Sequence, residues 1–328
     1  MTERRTPPSI RRRSLAALVA TPLLVPRRGA AQGWPARPVT LVVPFPAGGP
    51  VDGVGRALAR QLERETGQPW IVENRGGAGG TIGATAVARA QPDGATLLCA
   101  STGVVSISPH VMDAPYDGIT SFTPIGMAGF SNGVMAIHPS VPARTVADLV
   151  AYARANPGRL FFASAGSGTI AHLFGEMFKA RAGVEIEHVP FRGSAPALTD
   201  TIAGRAHIIF DTVAIPAVRE GQLVGLAVLG DAPSPLLPGL PPLRATGFGE
   251  EGVLSWFGLL GPAGLPPSIV ERAGAALQAA LANREVTEVL ERMGITPRFQ
   301  PPGTFAETIR RDNATFGEVI RRNNIRAS

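Results

Sequence analysis

Two glycine-rich turns stand out in the sequence as places where the backbone itself could bind an anion. The first, at residues 44–50, follows a β-branched apolar run at residues 39–43 and precedes Val54, Leu58 and Leu62, which recur at helical spacing. A helix N-terminus presents unpaired N–H groups and about half a unit of positive charge. The pattern therefore predicts a site for one end of a small carboxylate, although an ordinary strand–helix connection gives the same pattern.

The second turn, residues 166–169, repeats this arrangement between a predicted strand at residues 160–165 and a predicted helix at residues 171–182. Extended to Ala171, it also fits the dinucleotide-binding fingerprint, with alanine in the last position. Glu185 and Glu187 lie nearly where that motif places the acid that binds a ribose. An exported, dinucleotide-dependent oxidoreductase is therefore the alternative function.

Other side chains that could do chemistry do not form a recognisable centre. The five histidines show no metal-ligand spacing, and the sole cysteine, Cys99, lies in an apolar run where a buried thiol is expected. We therefore expect no metal site and no cofactor. His172, in the first turn of its predicted helix, could face a ligand or support the turn. Asp52 could cap its helix, and Asp211 could recognise an ammonium, a hydroxyl or a protonated acid.

The charge of the chain is concentrated at its beginning. The 328 residues carry a net charge of +6, and residues 1–31 contain seven arginines against one glutamate, which leaves equal numbers of basic and acidic residues in the rest. Export signals have this composition: the basic residues 11–13 precede an apolar stretch at residues 15–26, and Gly29 and Ala31 are small residues suited to cleavage. Residues 12–15 also resemble a twin-arginine signal. We therefore expect a periplasmic protein that does not bind nucleic acid.

The remaining elements predict an α/β protein. Short apolar strands alternate with helices, which favours mostly parallel sheets flanked by helices. Residues 109–123 are predicted to be an irregular surface stretch, and the residues after 262 to be entirely helical apart from their connections. Lobe one is predicted at residues 34–131 and 230–328, and lobe two at residues 132–229. Polar turns at the carboxyl ends of strands in both lobes predict a ligand cleft between them.

Several segments closely resemble one protein family, the periplasmic solute receptors of tripartite tricarboxylate transporters, also called the Bug family. The matching segments are spread over residues 38–264, in the order of the family: PVTLVVPFPAGGPVD, IVENRGGAGGTIGA, QPDGATLL, FASAGSGTIAHL, VPFRGSAPALTD, FDTV and SWFGLLGPAG. The resemblance implies a two-lobed clamshell fold of the periplasmic-binding-protein type. It also implies a receptor that binds a small organic carboxylate, without catalysis, and delivers it to membrane permease subunits. We expect the receptor to be a monomer.

The resemblance further implies which residues bind the ligand. They lie in the turn after the first strand, partly acting through ordered water, and in the turns of the second lobe. The positions carried over are Phe45, Pro46, Gly48, Gly49, Asp52, Ser101, Thr102, Ser164, Gly166, Gly168, Thr169, His172, Phe191, Gly193, Ser194 and Asp211.

Three departures from the pattern of the family, which involve four positions, bear on the identity of the ligand. Pro50 stands where a small residue is common, and proline has no N–H to donate. Phe191 and Arg192 replace the commoner tyrosine–lysine pair, so that a hydroxyl is missing. Thr212 stands where an asparagine is common.

The placement of the basic residues and of Ala31 generates a prediction about processing. The mature protein is expected to begin near Gln32 and to be nearly neutral instead of basic. N-terminal sequencing of protein recovered from the periplasm measures this. Periplasmic protein that retains residues 1–31 would contradict the prediction.

Overall fold

The computed structural model describes residues 1–3, 33–229, 233–249 and 255–327. The predicted export signal lies outside the described residues except for its first three, so it remains a prediction. All of the elements below belong to the unit Trp34–Ser328. Among the described residues, no helix combines the length and the apolar character needed to cross a bilayer.

Eleven strands form two sheets in the described part of the chain. The strands are β1 (Val39–Val43), β2 (Trp70–Asn74), β3 (Thr96–Ser101), β4 (Phe122–Ser131), β5 (Val134–Ile137), β6 (Leu160–Ser164), β7 (Ile186–Pro190), β8 (Ile208–Asp211), β9 (Val224–Val228), β10 (Ser255–Pro262) and β11 (Ile295–Gln300). The six-stranded sheet has the order β11-β4-β10-β3-β1-β2, and the five-stranded sheet has the order β7-β6-β8-β5-β9.

Helices pack against both sheets, as an α/β fold requires. They are α1 (Pro50–Thr66), α2 (Thr81–Ala88), α3 (Ser108–Val111), α4 (Val146–Ala155), α5 (Ile170–Ala182), α6 (Ser194–Ile202), α7 (Ile215–Arg219), α8 (Pro267–Ala282), α9 (Arg284–Arg292) and α10 (Pro302–Arg322). A π-helical turn at Gly103–Ile107 connects β3 to α3.

Both sheets are mixed, whereas mostly parallel sheets were predicted. In the six-stranded sheet β1 pairs in parallel with β2 and β3, but β10 is antiparallel to β3 and β4, and β11 is antiparallel to β4. The five-stranded sheet likewise has β5 antiparallel to β8 and β9. The difference arises because the chain crosses between the sheets after β4 and after β9, and each crossing strand enters its sheet in the reverse direction.

Two strands, β4 and β11, were not predicted from the sequence. Strand β4 spans residues 122–131, where no strand was predicted, because Pro124, Gly126 and Gly129 interrupt its apolar pattern. Strand β11 lies at the edge of the sheet, in a region predicted to be helical, and its pairing with β4 is irregular after Pro297.

Local sequence explains how the helices near the cleft begin and end. Helix α1 has Pro50 in its first turn, and it ends at Gly67, whose left-handed conformation lets its N–H bond to Glu63. Helix α5 begins at Thr169, whose hydroxyl accepts from the His172 N–H, and ends at Gly183, also left-handed. These signals fix where the N-terminus of each helix meets the cleft.

Helix α10 belongs to both cores. Phe305 and Ile309, in its first half, are buried with the apolar residues of the six-stranded sheet. Phe316 and Ile320, in its second half, are buried in the cluster that contains Phe162 of the five-stranded sheet. The C-terminal helix therefore packs against both sheets, whereas the predicted boundaries assign all of it to lobe one.

Candidate functional site

A cavity of about 780 Å³, a volume that includes its opening to solvent, lies between the turns of the two sheets. From the six-stranded sheet it is lined by the β1–α1 turn and by the end of β3, and from the five-stranded sheet by the turns after β6, β7 and β8. The crossing residues Ser131, Gly133, Leu229 and Ser255 complete its wall.

Three helix N-termini meet at this cavity. The lining residues include Gly49, Thr169 and Gly193, which are the N-cap residues of α1, α5 and α6. Each helix start carries partial positive charge and N–H groups without partners inside the helix. Among the described residues that line the cavity, Asp211 is the only ionisable side chain. The described part of the cavity wall therefore offers an anion backbone N–H and hydroxyl donors and no basic side chain.

Proline limits how many backbone donors the cavity has. Pro50 is the first residue of α1 and Pro196 is the third residue of α6, and neither has an N–H. The lining residues at the start of a helix that do carry an N–H are Val51, Ile170, Ala171, Ser194 and Ala195.

The β1–α1 turn is held by Asp52, which is buried and does not line the cavity. Its carboxylate accepts from the Gly48 N–H at 3.0 Å, from Arg56 at 3.0 Å and from Asn74 at 2.9 Å. Burial raises the pKa of Asp52, but the hydrogen bonds from Arg56, Gly48 and Asn74 outweigh this and hold the pKa below its usual value. Asp52 thus stays ionised and occupies the Gly48 N–H, which was predicted to bind the ligand.

The β6–α5 turn is also satisfied from within. The Gly166 N–H donates to Ser164 Oγ at 3.1 Å, the Gly168 N–H to His172 Nδ1 at 3.3 Å, and the Thr169 hydroxyl to the Gly166 carbonyl at 2.6 Å. The predicted backbone donors Gly166 and Gly168 therefore serve the turn, and the Thr169 hydroxyl, predicted to contact the ligand, serves it as well. The donors left for a ligand are the first N–H groups of α5 itself.

Two stacked histidines support this turn from behind. The His172 and His188 rings lie 4.3 Å apart between centroids, His188 stacks on Phe162 at 4.7 Å, and Ser164 Oγ lies 2.6 Å from His188 Nε2. Burial lowers the pKa of His172 to about 4 and that of His188 to about 3. Both rings are therefore neutral near pH 7. Of the two roles open to His172, the structure favours support of the turn, because its ring accepts the Gly168 N–H and it does not line the cavity.

Asp211 lies at the cavity wall and is partly exposed. Its carboxylate accepts from Ser194 Oγ at 2.7 Å and from the Val213 N–H at 3.1 Å. Burial raises the pKa of Asp211 despite these bonds. Because the Ser194 hydroxyl donates its hydrogen bond to Asp211, the lone pairs of the Ser194 oxygen remain available to accept a hydrogen bond at the cavity.

Residues 129–133 read Gly-Phe-Ser-Asn-Gly, which matches the nucleophile-elbow pattern of α/β-hydrolases. That motif requires a turn from a strand into a helix, whereas Ser131 ends β4 and strand β5 follows at Val134. The Ser131 hydroxyl pairs with the Thr212 hydroxyl, which is not a base. Ser131 therefore lines the cavity as a hydroxyl and lacks the surroundings of a nucleophile.

Half of the sixteen predicted site residues line the cavity: Phe45, Pro46, Gly49, Ser101, Thr169, Gly193, Ser194 and Asp211. The others stand outside its wall: Gly48, Asp52, Thr102, Ser164, Gly166, Gly168, His172 and Phe191. Several of this second group hold the turns in place, as Asp52 and Ser164 do. Their placement supports a positioning role in place of direct contact.

The apolar part of the cavity was not predicted. Phe174, Phe210, Leu229 and Phe257 line it in addition to Phe45. Their positions in helical and strand patterns are typical of core residues, so that the sequence carried no signal that they face a ligand. The crossing residue Ser131 was missed because strand β4 was missed.

The dinucleotide motif does not receive structural support. Glu185 and Glu187, the residues that would bind a ribose, are both exposed, and neither lines the cavity. In the described residues, no group of three or more histidine, cysteine, aspartate or glutamate side chains could hold a metal ion.

Comparisons with known proteins agree on one family. A family model described as tripartite tricarboxylate transporter family receptor matches residues 54–325. Protein BugT of Bordetella pertussis is 35% identical over 294 residues, which are 86% of this chain and 89% of that protein. These relatives favour a solute receptor over the alternative oxidoreductase.

Solved structures of similar proteins have the same fold. A protein of R. palustris solved with adipate has a TM-score of 0.84 and 33% identity, covering 89% of this chain and 99% of that one. MatC from Rhodopseudomonas palustris, solved with bound malate, has a TM-score of 0.82 and 30% identity, covering 88% of this chain and 100% of that one. The two-lobed α/β fold of periplasmic binding proteins predicted from the sequence is therefore confirmed.

The stacked pair His172 and His188 generates a prediction about pH. A histidine whose pKa is lower in the folded state binds its proton more readily when unfolded, so stability is full above pH 6.5 and falls as the pH drops toward the folded values of about 4 and 3. The maximum slope is about 1.4 kcal/mol per pH unit for each histidine. We expect His188→Phe, which keeps an aromatic ring in the stack, to flatten this slope.

Urea unfolding at pH 7.0, 5.5 and 4.5 measures the slope for the parent and the variant. The unfolding free energy of the parent is expected to decrease between these values more steeply than that of His188→Phe. Parallel curves for the two proteins would show that the pKa of His188 is not lowered in the folded protein.

Proposed function

We propose that this chain, which belongs to the tripartite tricarboxylate transporter receptor family, binds a small organic carboxylate in the cavity between its two sheets. The observation that carries the proposal is the convergence of the α1, α5 and α6 N-termini on a cavity with no basic side chain among its described lining residues. A carboxylate at this point would accept N–H groups that the three helices leave unpaired. The receptor family of the chain, and a cavity with a single ionisable side chain among its described lining residues, support a receptor and not an enzyme.

The walls of the cavity favour an acid with an apolar body. Phe45, Phe174, Phe210 and Phe257 provide aromatic surface beside the helix starts. Ligand pockets combine such apolar walls with a few polar groups that fix orientation. The relatives solved with adipate and malate make four- to six-carbon dicarboxylates the first class to test.

Asp211 limits which end of a ligand can lie beside it. A second carboxylate next to the Asp211 carboxylate would be repelled, whereas a hydroxyl or an ammonium group could donate to it. The Ser194 oxygen is an acceptor at the same place, since the Ser194 hydroxyl donates its hydrogen bond to Asp211. We therefore propose that the ligand carries a hydrogen-bond donor, as a hydroxy acid does.

The family of the chain supports the rest of the proposal. We propose that residues 1–31 are removed on export, that the mature protein is a monomer in the periplasm, and that it delivers its ligand to permease subunits of a tripartite transporter. Lobe one would comprise residues 34–131 and 230–328, and lobe two residues 132–229, with α10 packed against both. Closure of the lobes around the ligand is favoured because the ligand contacts both lobes at once only in the closed state.

A panel of small acids tests the ligand class. Malate is expected to raise the melting temperature of the mature protein, by mass action on the folded state, and to do so more than succinate, which lacks the hydroxyl. NAD and NADP serve as controls for the alternative oxidoreductase and are expected to have no effect. Stabilisation by a dinucleotide but by no acid would contradict the proposed function.

The role of the helix starts is tested at Ser194, the first residue of α6. Ser194→Pro removes one N–H at a position where proline suits a helix, and Ser194→Ala is the matched control that loses only the hydroxyl. A hydrogen bond to a charged group contributes about 1.5–3 kcal/mol, so the proline variant is expected to bind malate about tenfold to a hundredfold more weakly than the alanine variant. Calorimetric titration measures both affinities. Equal affinities in two folded variants would mean that the α6 N–H does not hold the ligand.

A further inference from the structure

The two sheets also touch at a place that does not line the cavity. This contact joins the glycine turn after β2, at residues 76–80, to the β6–α5 turn. A methyl group on Gly79 would overlap the Ser167 carbonyl oxygen, and a methyl group on Gly166 would lie 3.7 Å from Gly79 Cα. The two backbones are therefore in direct contact, with no room for a side chain at Gly79.

Ser108 lies at the same contact and is fully buried. Its hydroxyl oxygen lies 3.2 Å from the Gly168 carbonyl oxygen and 3.5 Å from the Gly79 carbonyl oxygen. One hydroxyl therefore faces the backbone of both turns. The Met112 methyl group fills the space beside them, 2.8 Å from where a methyl group on Gly168 would lie and 3.2 Å from one on Gly79.

A second contact between the sheets lies at the cavity itself. A methyl group on Gly193 would lie 3.4 Å from Pro46 Cδ, and one on Gly49 would lie 4.0 Å from Ser194 Cβ. Those residues line the cavity, so a change in any of them alters both closure and ligand contact. Gly79, Ser108 and Gly168 do not line it, so a substitution at Gly79 or Ser108 removes no group from the cavity wall.

We infer that Gly79, Ser108 and the Ser167–Gly168 backbone form a closure contact that helps set the affinity of the receptor without touching the ligand. The contact is made only while the two turns are together, so it adds to the stability of the closed state. It shares the β6–α5 turn with the cavity, because Thr169 lines the cavity one residue after Gly168. The ligand and the contact both hold this turn in the closed state, so each increases the stability that the other gives to that state.

The inference rests on the proposed closure of the lobes, but it assigns the glycine turn a role that ligand binding does not require. Glycine is needed at position 79 for two separable reasons. Its backbone is left-handed, with φ 62° and ψ 18°, and its Cα lies against the opposite turn. The chain offers a control that separates these reasons: Gly67 has nearly the same conformation, φ 71° and ψ 13°, and an added methyl group there would meet no atom within 4 Å.

The experiment compares Gly79→Ala with Gly67→Ala in the mature protein. Both variants put alanine in a left-handed conformation, but only Gly79→Ala adds an atom between the sheets. Spin labels are attached at Arg60→Cys on α1 and Ala155→Cys on α4, which are both exposed positions, and double electron–electron resonance measures the distance between them. The native Cys99 is buried, so that its thiol is not accessible to the label. The parent and Gly67→Ala are expected to populate the short distance of this structure, whereas Gly79→Ala shifts to longer distances.

The binding of malate, the probe, is measured on the same proteins. Gly79→Ala is expected to bind malate at least tenfold more weakly than Gly67→Ala. Ser108→Ala removes the shared hydroxyl and adds no atom, and it is expected to bind malate a few-fold more weakly than the parent. If the parent does not bind malate, the proposed ligand class fails, and the distance measurement without ligand still decides the closure contact. Equal distance distributions for Gly79→Ala and the parent, or an equal shift in Gly67→Ala, would overturn the inference.

Discussion

One constraint follows from the proposed function: the cavity must hold a charged ligand with no basic side chain among its described lining residues. The available donors are therefore hydroxyl groups and backbone N–H groups, and the positions of the N–H groups are fixed before the ligand arrives. Hydrogen bonds inside the turns fix these positions. They are made by Asp52, by the Ser164–His188 pair and by the Thr169–His172 pair, which bond to the polar groups of the turns. What the turns leave unpaired is the start of each helix, directed at the cleft.

The hydrogen bonds inside the turns explain why the predicted site residues and the residues that line the cavity differ. The sequence indicates where a strand, a glycine turn and a helix follow one another, and the cavity does form at those turns. It does not indicate which N–H groups of a turn are already bonded, since that depends on side chains such as Asp52 and His172 that reach back from the helix. Gly48, Gly166 and Gly168 lie in the turns beside the cavity, but their N–H groups are bonded within those turns, and their contact with a ligand stays a prediction.

The same limit applies to the fold. Local signals such as Pro50, Thr169 and Gly67 predict where helices begin and end, because each acts through its own backbone. Strands β4 and β11 depend on pairing with distant segments, and their proline and glycine residues weaken the local pattern. The direction in which β10 enters its sheet likewise follows from the crossing between the sheets, so that the mixed character of the sheets could not be predicted from alternating elements alone.

A crystal structure of the mature protein grown with malate tests the central claim most directly. The account predicts density for one carboxylate in the cavity, with its oxygens within hydrogen-bond distance of N–H groups at the starts of α5 and α6, directly or through one water molecule. It also predicts that no arginine or lysine side chain contacts that carboxylate. A ligand carboxylate paired with a basic side chain, or bound outside the cavity, would contradict the account.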